Sequence, residues 1–451
     1  MDRKQKGKCI DYAHDGRGVI KIKGIPIFVE NLLVGEEADI LITKREKGYS
    51  LGRRLELLTV SSKRCKPICE KYKECGGCQL QHMTYDEQLK FKKDRVKAAL
   101  KRIGKLDVDV QDVIGMKDPY KYRNKVQVPF GKDDSGNIIA GFYKKGTHNI
   151  INMDKCYIED KDADDIVVSL KHIFTKYSIE PYNVEEDKGI VRAVLVRKSI
   201  TNKELMVVII TRSMSLLKSK EIVRDLLQAH KNIKTIVHNI NNKRTTVMLG
   251  SKEEILYGEG YIEDYILGVK FKISSKSFYQ INPIQTEVLY KKAIELANLK
   301  KDDVVLDAYC GVGTIGLIVS SKVKSVVGVE ISNSAIEDAK YNASINKIKN
   351  AEFVVGDAKE FIKKEVKNNK KYDVVFVDPP RDGCDKEFIG SLVKMLPPRI
   401  IYISCDPSSL SRDLLELSKY YDVSYCQPVD MFPQTYHVES VVALVRKEID
   451  I

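Results

Sequence analysis

No stretch of this 451-residue chain approaches the ~18 consecutive apolar residues that a membrane span requires. The opening segment, MDRKQKGKCI, has charge but lacks the apolar core of a secretory signal. Together these absences predict a soluble, cytoplasmic protein. Ten cysteines are too few for a disulfide scaffold of this length, and a reducing compartment argues against disulfides in any case. Tandem repeats and low-complexity segments are also missing. At roughly 100–200 residues per domain, the length predicts two to four domains, each able to bury its own core.

Charge is abundant and uneven. Lys and Arg number 76 against 63 Asp and Glu, a net +13. Residues 1–130 account for +11, residues 131–299 for +4 and residues 300–451 for −2. A basic front joined to a near-neutral back predicts a polyanion-binding module attached to something else.

Residues 1–60 carry Val- and Ile-rich runs punctuated by Gly16, Gly18, Gly24, Gly35 and Gly48, the pattern of a small five-strand barrel of the oligonucleotide-binding class. Residues 61–275 form the second part. Within it, residues 84–104 predict a basic amphipathic helix with Leu89, Val96 and Leu100 inward and Gly104 as its stop. Strand-like VRAVLVRK and ELMVVIITR alternate with helical LKSKEIVRDLLQAH farther on, which predicts an α+β domain. Residues 276–451 form the third part. There DVVLDAY, SVVGVE, EFVVG, YDVVFVD and RIIYIS each precede a helical stretch, so the strands form a parallel sheet covered on both faces. YDVSYCQPVD and ESVVALVRK follow with no room for a crossover helix. The expected fold is therefore α/β, a doubly wound Rossmann-like sheet of about seven strands with the last one antiparallel.

The first strand of that sheet ends at Asp307 and leads into Gly311-Val-Gly313-Thr-Ile-Gly316. Glycines at this spacing let a backbone turn tightly against a ligand, in dinucleotide and S-adenosylmethionine folds alike. The acids favour the second. Asp307 would repel a pyrophosphate but suits a ligand with sulfonium and ammonium groups. Glu330 ends the second strand, where it can accept ribose hydroxyls, and Asp357 ends the third, near the expected adenine.

Ligands in such sheets lie beyond the carboxyl ends of the strands. The fourth strand ends in Asp378-Pro-Pro-Arg381 and the fifth in Ser404-Cys405-Asp406-Pro407. An antiparallel seventh strand begins on the same rim, at His437-Val-Glu439. An acid, a thiol and a second acid are thus expected to converge. A thiol beside a methyl donor suits methylation of pyrimidine C5. Thiolate addition to C6 makes C5 nucleophilic, and a base then removes the C5 proton. Cys405 is the expected nucleophile and Glu439 the base, while Asp378 holds either the base edge or the donor. Amino-group methylation usually has an aromatic after the Pro-Pro, where Arg381 stands. Cytosine-C5 methylation of RNA usually employs two strand-end cysteines; Asp378-Pro-Pro occupies the second place, although Cys384 lies close behind.

A separate cluster runs Cys65-x3-Cys69-x5-Cys75-x2-Cys78, with Cys156 far downstream. Thiolates this close predict a soft metal or cluster. Zinc and [4Fe–4S] both accept four of them, and spacing does not choose.

Taken together these motifs resemble the RNA uracil-C5 methyltransferase family, in its ribosomal-RNA branch with a TRAM domain and an iron–sulfur cluster. The resemblance covers nearly the whole chain. It rests on the β-rich N-terminal module, Cys69-x5-Cys75-Gly-Gly-Cys78-Gln-Leu-Gln-His82, Ser277-Phe278-Tyr-Gln280-Ile-Asn-Pro283, Asp307–Gly316 and the three strand-end motifs. It implies that Gln280, Tyr309, Glu330 and Asp378 contact S-adenosylmethionine and that Gly311 belongs to the same cofactor loop. It further implies Cys405 as nucleophile, Glu439 as proton acceptor and Phe278 stacked on the target uracil. The implied ligands of a [4Fe–4S] cluster are Cys69, Cys75, Cys78 and Cys156, with Cys65 near enough to compete with Cys156. The target base must leave its stack, so the expected partner is 23S rRNA in a single-stranded or loop region, not DNA and not a membrane. Family members acting on tRNA commonly lack the N-terminal module and the cluster; a tRNA enzyme is the nearest alternative, and a non-catalytic ribosome-assembly factor a more distant one. Expected phosphate contacts are Lys44, Arg45, Lys47, Arg53 and Arg54 on the barrel, and Lys92, Lys93, Arg95 and Lys97 on the basic helix.

Overall fold

The computed structural model describes residues 3–245 and 247–448. Strands Lys4–Tyr12, Gly18–Ile22, Ile25–Val29, Glu37–Glu46 and Tyr49–Leu57 close into a barrel in the order 1-2-3-5-4. Alternation sends Cys9, Ile20, Ile27, Val29, Ala38 and Ile40 into its core. Lys23 and Gly24 both have positive φ, the conformation that a two-residue turn between twisted strands demands.

The helix Tyr85–Arg102 then crosses to the far end of the chain. Val96 and Leu100 join the core of the last sheet, while Phe91 packs with Leu33, Leu80 and Met83 beside the barrel. Leu89, expected inward, is only half-buried. Residues 110 and 114 bridge to Cys426 and Val429, so this segment lines the edge of the last sheet.

The middle of the chain forms a second seven-stranded sheet, in which only Leu205–Thr211 and Ile233–Ile240 run parallel, joined through the helix Ser219–Ala229. That helix and Lys161–Lys176 cover one face. The other face shares one continuous apolar core with the hairpin Tyr261–Ile266/Val269–Ser274 and the helix Pro283–Ala297. The α+β expectation holds, and the shared core ties this sheet to the next.

The last sheet has strands Val304–Ala308, Ser325–Glu330, Ala351–Val355, Val374–Val377, Arg399–Ser404, Tyr421–Val429 and Glu439–Arg446, in the order 3-2-1-4-5-7-6. The first five run parallel. The seventh inserts antiparallel between the fifth and sixth, pairing Ile401 with Ala443. Order reverses between the first and fourth strands, which opens a crevice above their carboxyl ends. Among the described residues no helix is long and apolar enough to cross a membrane.

Candidate active site

A cavity of about 930 Å³ occupies that crevice. It brings together every sequence-predicted residue of the donor and catalytic sites: Phe278, Gln280, Asp307, Tyr309, Gly311, Glu330, Asp357, Asp378, Cys405 and Glu439.

On the donor side the chain leaves the first strand through Tyr309, Gly311 and Gly313, all with positive φ. A Cβ on Gly313 would sit 2.8 Å from the Phe353 ring, so glycine is required there for packing as well as for the turn. The Gly316 amide donates to Asp307 Oδ2 at 2.8 Å, anchoring the loop to the strand end. Glu330 is fixed by the amides of Ser332 (2.9 Å) and Gly311 (3.3 Å). Asp357 caps the helix Ala358–Lys367 and stays exposed at the rim. Burial, reinforced by Asp378 and Glu330, pushes the Asp307 carboxyl up to about 7. The acids lining the cavity, Asp307, Glu330, Asp357 and Asp378 among them, repel a pyrophosphate and favour a cationic ligand, and a sulfonium nucleoside with an ammonium tail fits that lining.

On the opposite side Cys405 directly follows the fifth strand and Glu439 begins the seventh. Burial pushes Glu439 up to about 8, with Asp378 adding to the rise and Arg381 opposing it. Asp378 lies on the cavity floor, partly open to solvent, and its enclosure raises it to about 7. The Cys405 thiol is pushed up to about 12, first by burial and then by the Glu439 and Asp378 charges. With nothing bound, the thiol is therefore protonated. Arg381 is the cation facing this cluster, and its Nη2 lies 3.2 Å from His437 Nδ1. Burial and the charge of Arg381 hold His437 down at about 4, so it is neutral.

The rim on the acceptor side carries Phe278, 70% exposed despite its ring. The loop beneath is anchored by the buried Arg197, which donates to the carbonyls of Ser277 (2.5 Å) and Ser275 (3.3 Å), and by Ser277 Oγ donating to Asp338 at 2.7 Å. Sequence reasoning missed Arg197, and it missed Tyr290, a buried cavity residue whose hydroxyl is hydrogen-bonded to Gln280. Both lie in runs that read as strand or helix core, with no motif to single them out.

The segment from Asp430 to Val438 delivers Phe432, His437 and then Glu439 to the cavity. It is strapped down by residues 79–95. Gln434 has a left-handed φ of 70°, and its carbonyl accepts from the amides of Gln79 and Leu80, both at 3.0 Å. Gln88 exchanges two hydrogen bonds with Gln434. Lys92 corrects an expectation. It is fully buried, donating to Asp430 Oδ1 at 2.5 Å and to the Phe432 carbonyl at 3.0 Å, and cannot meet a phosphate. The helix is clamped between barrel, loop and sheet, so a narrow stripe including Lys97 faces water. Arg95 is likewise committed, donating to the Tyr436 carbonyl at 2.7 Å. Arg54 donates to the Asn31 carbonyl at 2.7 Å and is half-buried.

The expected cluster ligands fall in one neighbourhood. Cys78 and Cys156 pack against Met116, Tyr122 and Ile158, and the Cys69 and Cys75 charges act on Cys78. Cys78 is pushed up to about 12 by burial. Cys65 instead donates to the Gln81 carbonyl at 3.3 Å. Among the described residues, however, no three Cys, His, Asp or Glu side chains are arranged as a ready-made metal site.

Comparison with known proteins gives a consistent result. Residues 84–447 match the family described as tRNA (Uracil-5-)-methyltransferase. An uncharacterized RNA methyltransferase of Bacillus cereus is 48% identical over 440 residues, covering 97% of this chain and 95% of its own. Another from Clostridium tetani is 46% identical over 430 residues, covering 95% and 93%. Among solved structures, the Pyrococcus abyssi tRNA (uracil-54, C5)-methyltransferase in complex with S-adenosyl-L-homocysteine aligns with a TM-score of 0.79 and 28% identity, over 98% of this chain and 100% of that one. A tRNA enzyme therefore aligns over a span that includes the barrel, and the presence of the barrel does not by itself separate rRNA from tRNA substrates.

Proposed function

The chain belongs to the tRNA (uracil-5-)-methyltransferase family of S-adenosylmethionine-dependent enzymes, and we propose that it methylates C5 of a uridine in 23S rRNA in the cytoplasm. The observation that carries this reading is the single cavity where Cys405, Glu439, Asp378 and an acidic donor lining converge. The net +11 of residues 1–130 supports a large, phosphate-rich substrate. A tRNA substrate is the second reading, favoured by the Pyrococcus neighbour.

In the proposed reaction Phe278 stacks on the extruded uracil and presents its C6 to Cys405. Held by the acidic lining, the cofactor would supply an electrophilic methyl group and a positive charge. Arg381, which lowers the Cys405 thiol against the Glu439 and Asp378 charges, favours the thiolate, and the proton leaves to water in the open cavity. The Cys405 sulfur then bonds to C6, and the C5–C6 electron pair shifts toward C5 and the C4 carbonyl. C5 takes the methyl as the donor's carbon–sulfur bond breaks, its electron pair staying on the sulfur, which leaves as a neutral thioether; the Glu439 carboxylate then removes the C5 proton. The electron pair of the C5–H bond restores the C5–C6 double bond and expels the Cys405 thiolate. Asp307, Glu330, Asp357, Gln280 and Tyr309 hold the donor in this account.

Residues 1–60 are read as a TRAM-type RNA-binding module, 61–275 as the domain that braces the substrate, and 276–451 as the catalytic domain. Cys69, Cys75, Cys78 and Cys156 are proposed to hold a [4Fe–4S] cluster, with zinc as the rival. Four soft donors in one neighbourhood, two of them in an apolar nest, fit such a group once it draws them together. Its proposed role is bracing, since Gln79 and Leu80, directly after Cys78, hold the Gln434 carbonyl.

The test is methylation of unmodified 23S rRNA and tRNA transcripts, with the products digested and weighed by mass spectrometry. 5-Methyluridine in 23S rRNA alone supports the reading, in tRNA alone selects the second, and in neither refutes both.

A further inference from the structure

The helix Pro407–Leu417 is capped by Asp406 and so begins just beyond Cys405. It packs Leu410, Leu414 and Leu417 into the core of the last sheet, and the same buried face carries an acid, Asp413, that is 3% exposed. Packing does not call for an acid at such a position, and a buried carboxylate costs free energy unless it is well bonded. Asp413 accepts four hydrogen bonds. The Cys384 amide (2.7 Å) and the Tyr402 hydroxyl (2.6 Å) donate to Oδ2, and Arg412 donates to Oδ1 through Nε (2.9 Å) and Nη2 (2.8 Å). Cys384 is itself buried and its thiol donates to the Tyr402 hydroxyl at 3.6 Å, so it belongs to this network.

The grip falls on the loop that carries Arg381. Arg412 Nη2 also donates to the carbonyls of Asp382 (2.7 Å) and Cys384 (3.3 Å), while the Gly383 amide closes a turn onto the Pro380 carbonyl at 2.8 Å. Gly383 has a φ of 78°, and a Cβ there would stand 2.5 Å from Arg412 Nη2 and 2.6 Å from Asp413 Oδ2. The turn is therefore pressed against Arg412 and Asp413 with no room for a side chain. Arg381 sits inside this turn. It is exposed, lines the cavity together with Cys405, and its Nη2 meets His437 Nδ1 at 3.2 Å. A long exposed side chain has much rotamer freedom to lose, so its placement depends on how firmly its backbone is held.

We propose that Asp413 and Arg412 are positioning residues for the reaction: they clamp the loop after the fourth strand to the helix after Cys405, and so hold Arg381 where its charge reaches the thiol. Of the groups whose charges act on Cys405, Glu439, Asp378 and Asp406 oppose its ionisation and Arg381 favours it, so the place of this cation matters to the thiolate. The clamp deepens the uracil-C5 reading and rests on it for the use to which the thiolate is put. The placement of Arg381 itself is measurable without RNA.

The test is the rate at which iodoacetamide alkylates Cys405, followed by mass spectrometry of the peptide that contains it. The thiolate is the reacting form, so a displaced Arg381 slows the reaction. Arg412→Met is expected to react about three- to tenfold more slowly than wild type at pH 8, as is Arg381→Met. Added to Arg381→Met, Arg412→Met is expected to change nothing further, whereas an effect exerted through the fold or through the charge of Arg412 itself would persist. Asp413→Asn, which can keep both Oδ2 bonds while losing those to Arg412, is expected to match Arg412→Met. Gly383→Ala, which leaves every charge in place and only pushes the turn off the clamp, is expected to slow the alkylation as well. Wild-type rates in Arg412→Met or Gly383→Ala, or an effect of Arg412→Met that survives in the Arg381→Met background, overturn the clamp. A transcript carrying 5-fluorouridine, incubated with wild-type protein and S-adenosylmethionine, separates this from the chemistry. A Cys405 adduct with wild-type alkylation in the variants refutes the clamp and keeps the uracil reading; slowed alkylation that vanishes in the Arg381→Met background, with no adduct, does the reverse.

Discussion

Replacing Lys92 with Met probes the link between the N-terminal half and the catalytic loop. Lys92 is fully buried, and its ammonium is the counter-ion of the buried Asp430. Removing one member of such a pair strands the other charge and typically costs about 3–5 kcal/mol. Asp430 would still accept from the Tyr85 hydroxyl at 2.9 Å and the Phe432 amide at 3.2 Å, which places the cost near the lower end. For a domain of this size, about 3 kcal/mol corresponds to a fall of roughly 6–12 °C in melting temperature. Adding Asp430→Asn removes the stranded charge and keeps one oxygen for one of the two donors, so the double variant should recover about half the loss. Differential scanning calorimetry of the three variants measures this. Had Lys92 been a phosphate contact, Lys92→Met would leave the melting temperature unchanged and flatten the salt dependence of RNA binding by about 0.7–0.9 in slope. That pattern, or a double variant as unstable as Lys92→Met, refutes the reasoning.

Glu439→Gln removes the proposed base without touching the nucleophile, so a methylated covalent RNA adduct should accumulate on ordinary uridine, visible on denaturing gels. Since both the base and the nucleophile must be ionised, with Glu439 at about 8 and the Cys405 thiol pushed up to about 12 in the free protein, kcat/KM should rise with pH, steeply below about 8 and less steeply above it. Arg381→Met, which removes the cation that lowers Glu439, should move that limb to higher pH. Stability shows the opposite trend. A carboxyl whose folded pKa is raised contributes stability below its unfolded value near 4.5, and this is lost as pH rises through about 8. Wild type should therefore lose melting temperature relative to Glu439→Gln between pH 5 and 9. Cys156→Ser should lower the iron and sulfide, or zinc, recovered with anaerobically purified protein; unchanged metal content would remove Cys156 from the ligand set.

The last sheet was legible because its signals are local. Five apolar strands alternate with helices, and the short connection before Glu439 forces the seventh strand to run back, carrying its first residue to the rim where Cys405 follows the fifth. That deduction needed no side-chain geometry. The helix Tyr85–Arg102 was harder. Its basic surface reads as a nucleic-acid face, yet the partner of Lys92 lies 338 residues away, and periodicity carries no information about such a pair. Arg197 and Tyr290 were missed for the same reason, because each acts on a loop brought to it by the fold. The cysteine spacing announced a shared site but not its occupant, since four thiols serve zinc and iron–sulfur clusters equally.

The central claim is that Cys405 attacks C6 of a uridine. Wild-type protein and Cys405→Ala, each with S-adenosylmethionine, would be incubated with 23S rRNA or tRNA transcripts carrying 5-fluorouridine and run on denaturing gels. Fluorine at C5 cannot leave as a proton, so the account predicts a covalent protein–RNA band with wild type, on one RNA class, and none with Cys405→Ala. A band that persists in Cys405→Ala, or no band on either RNA while donor binding is intact, would contradict it.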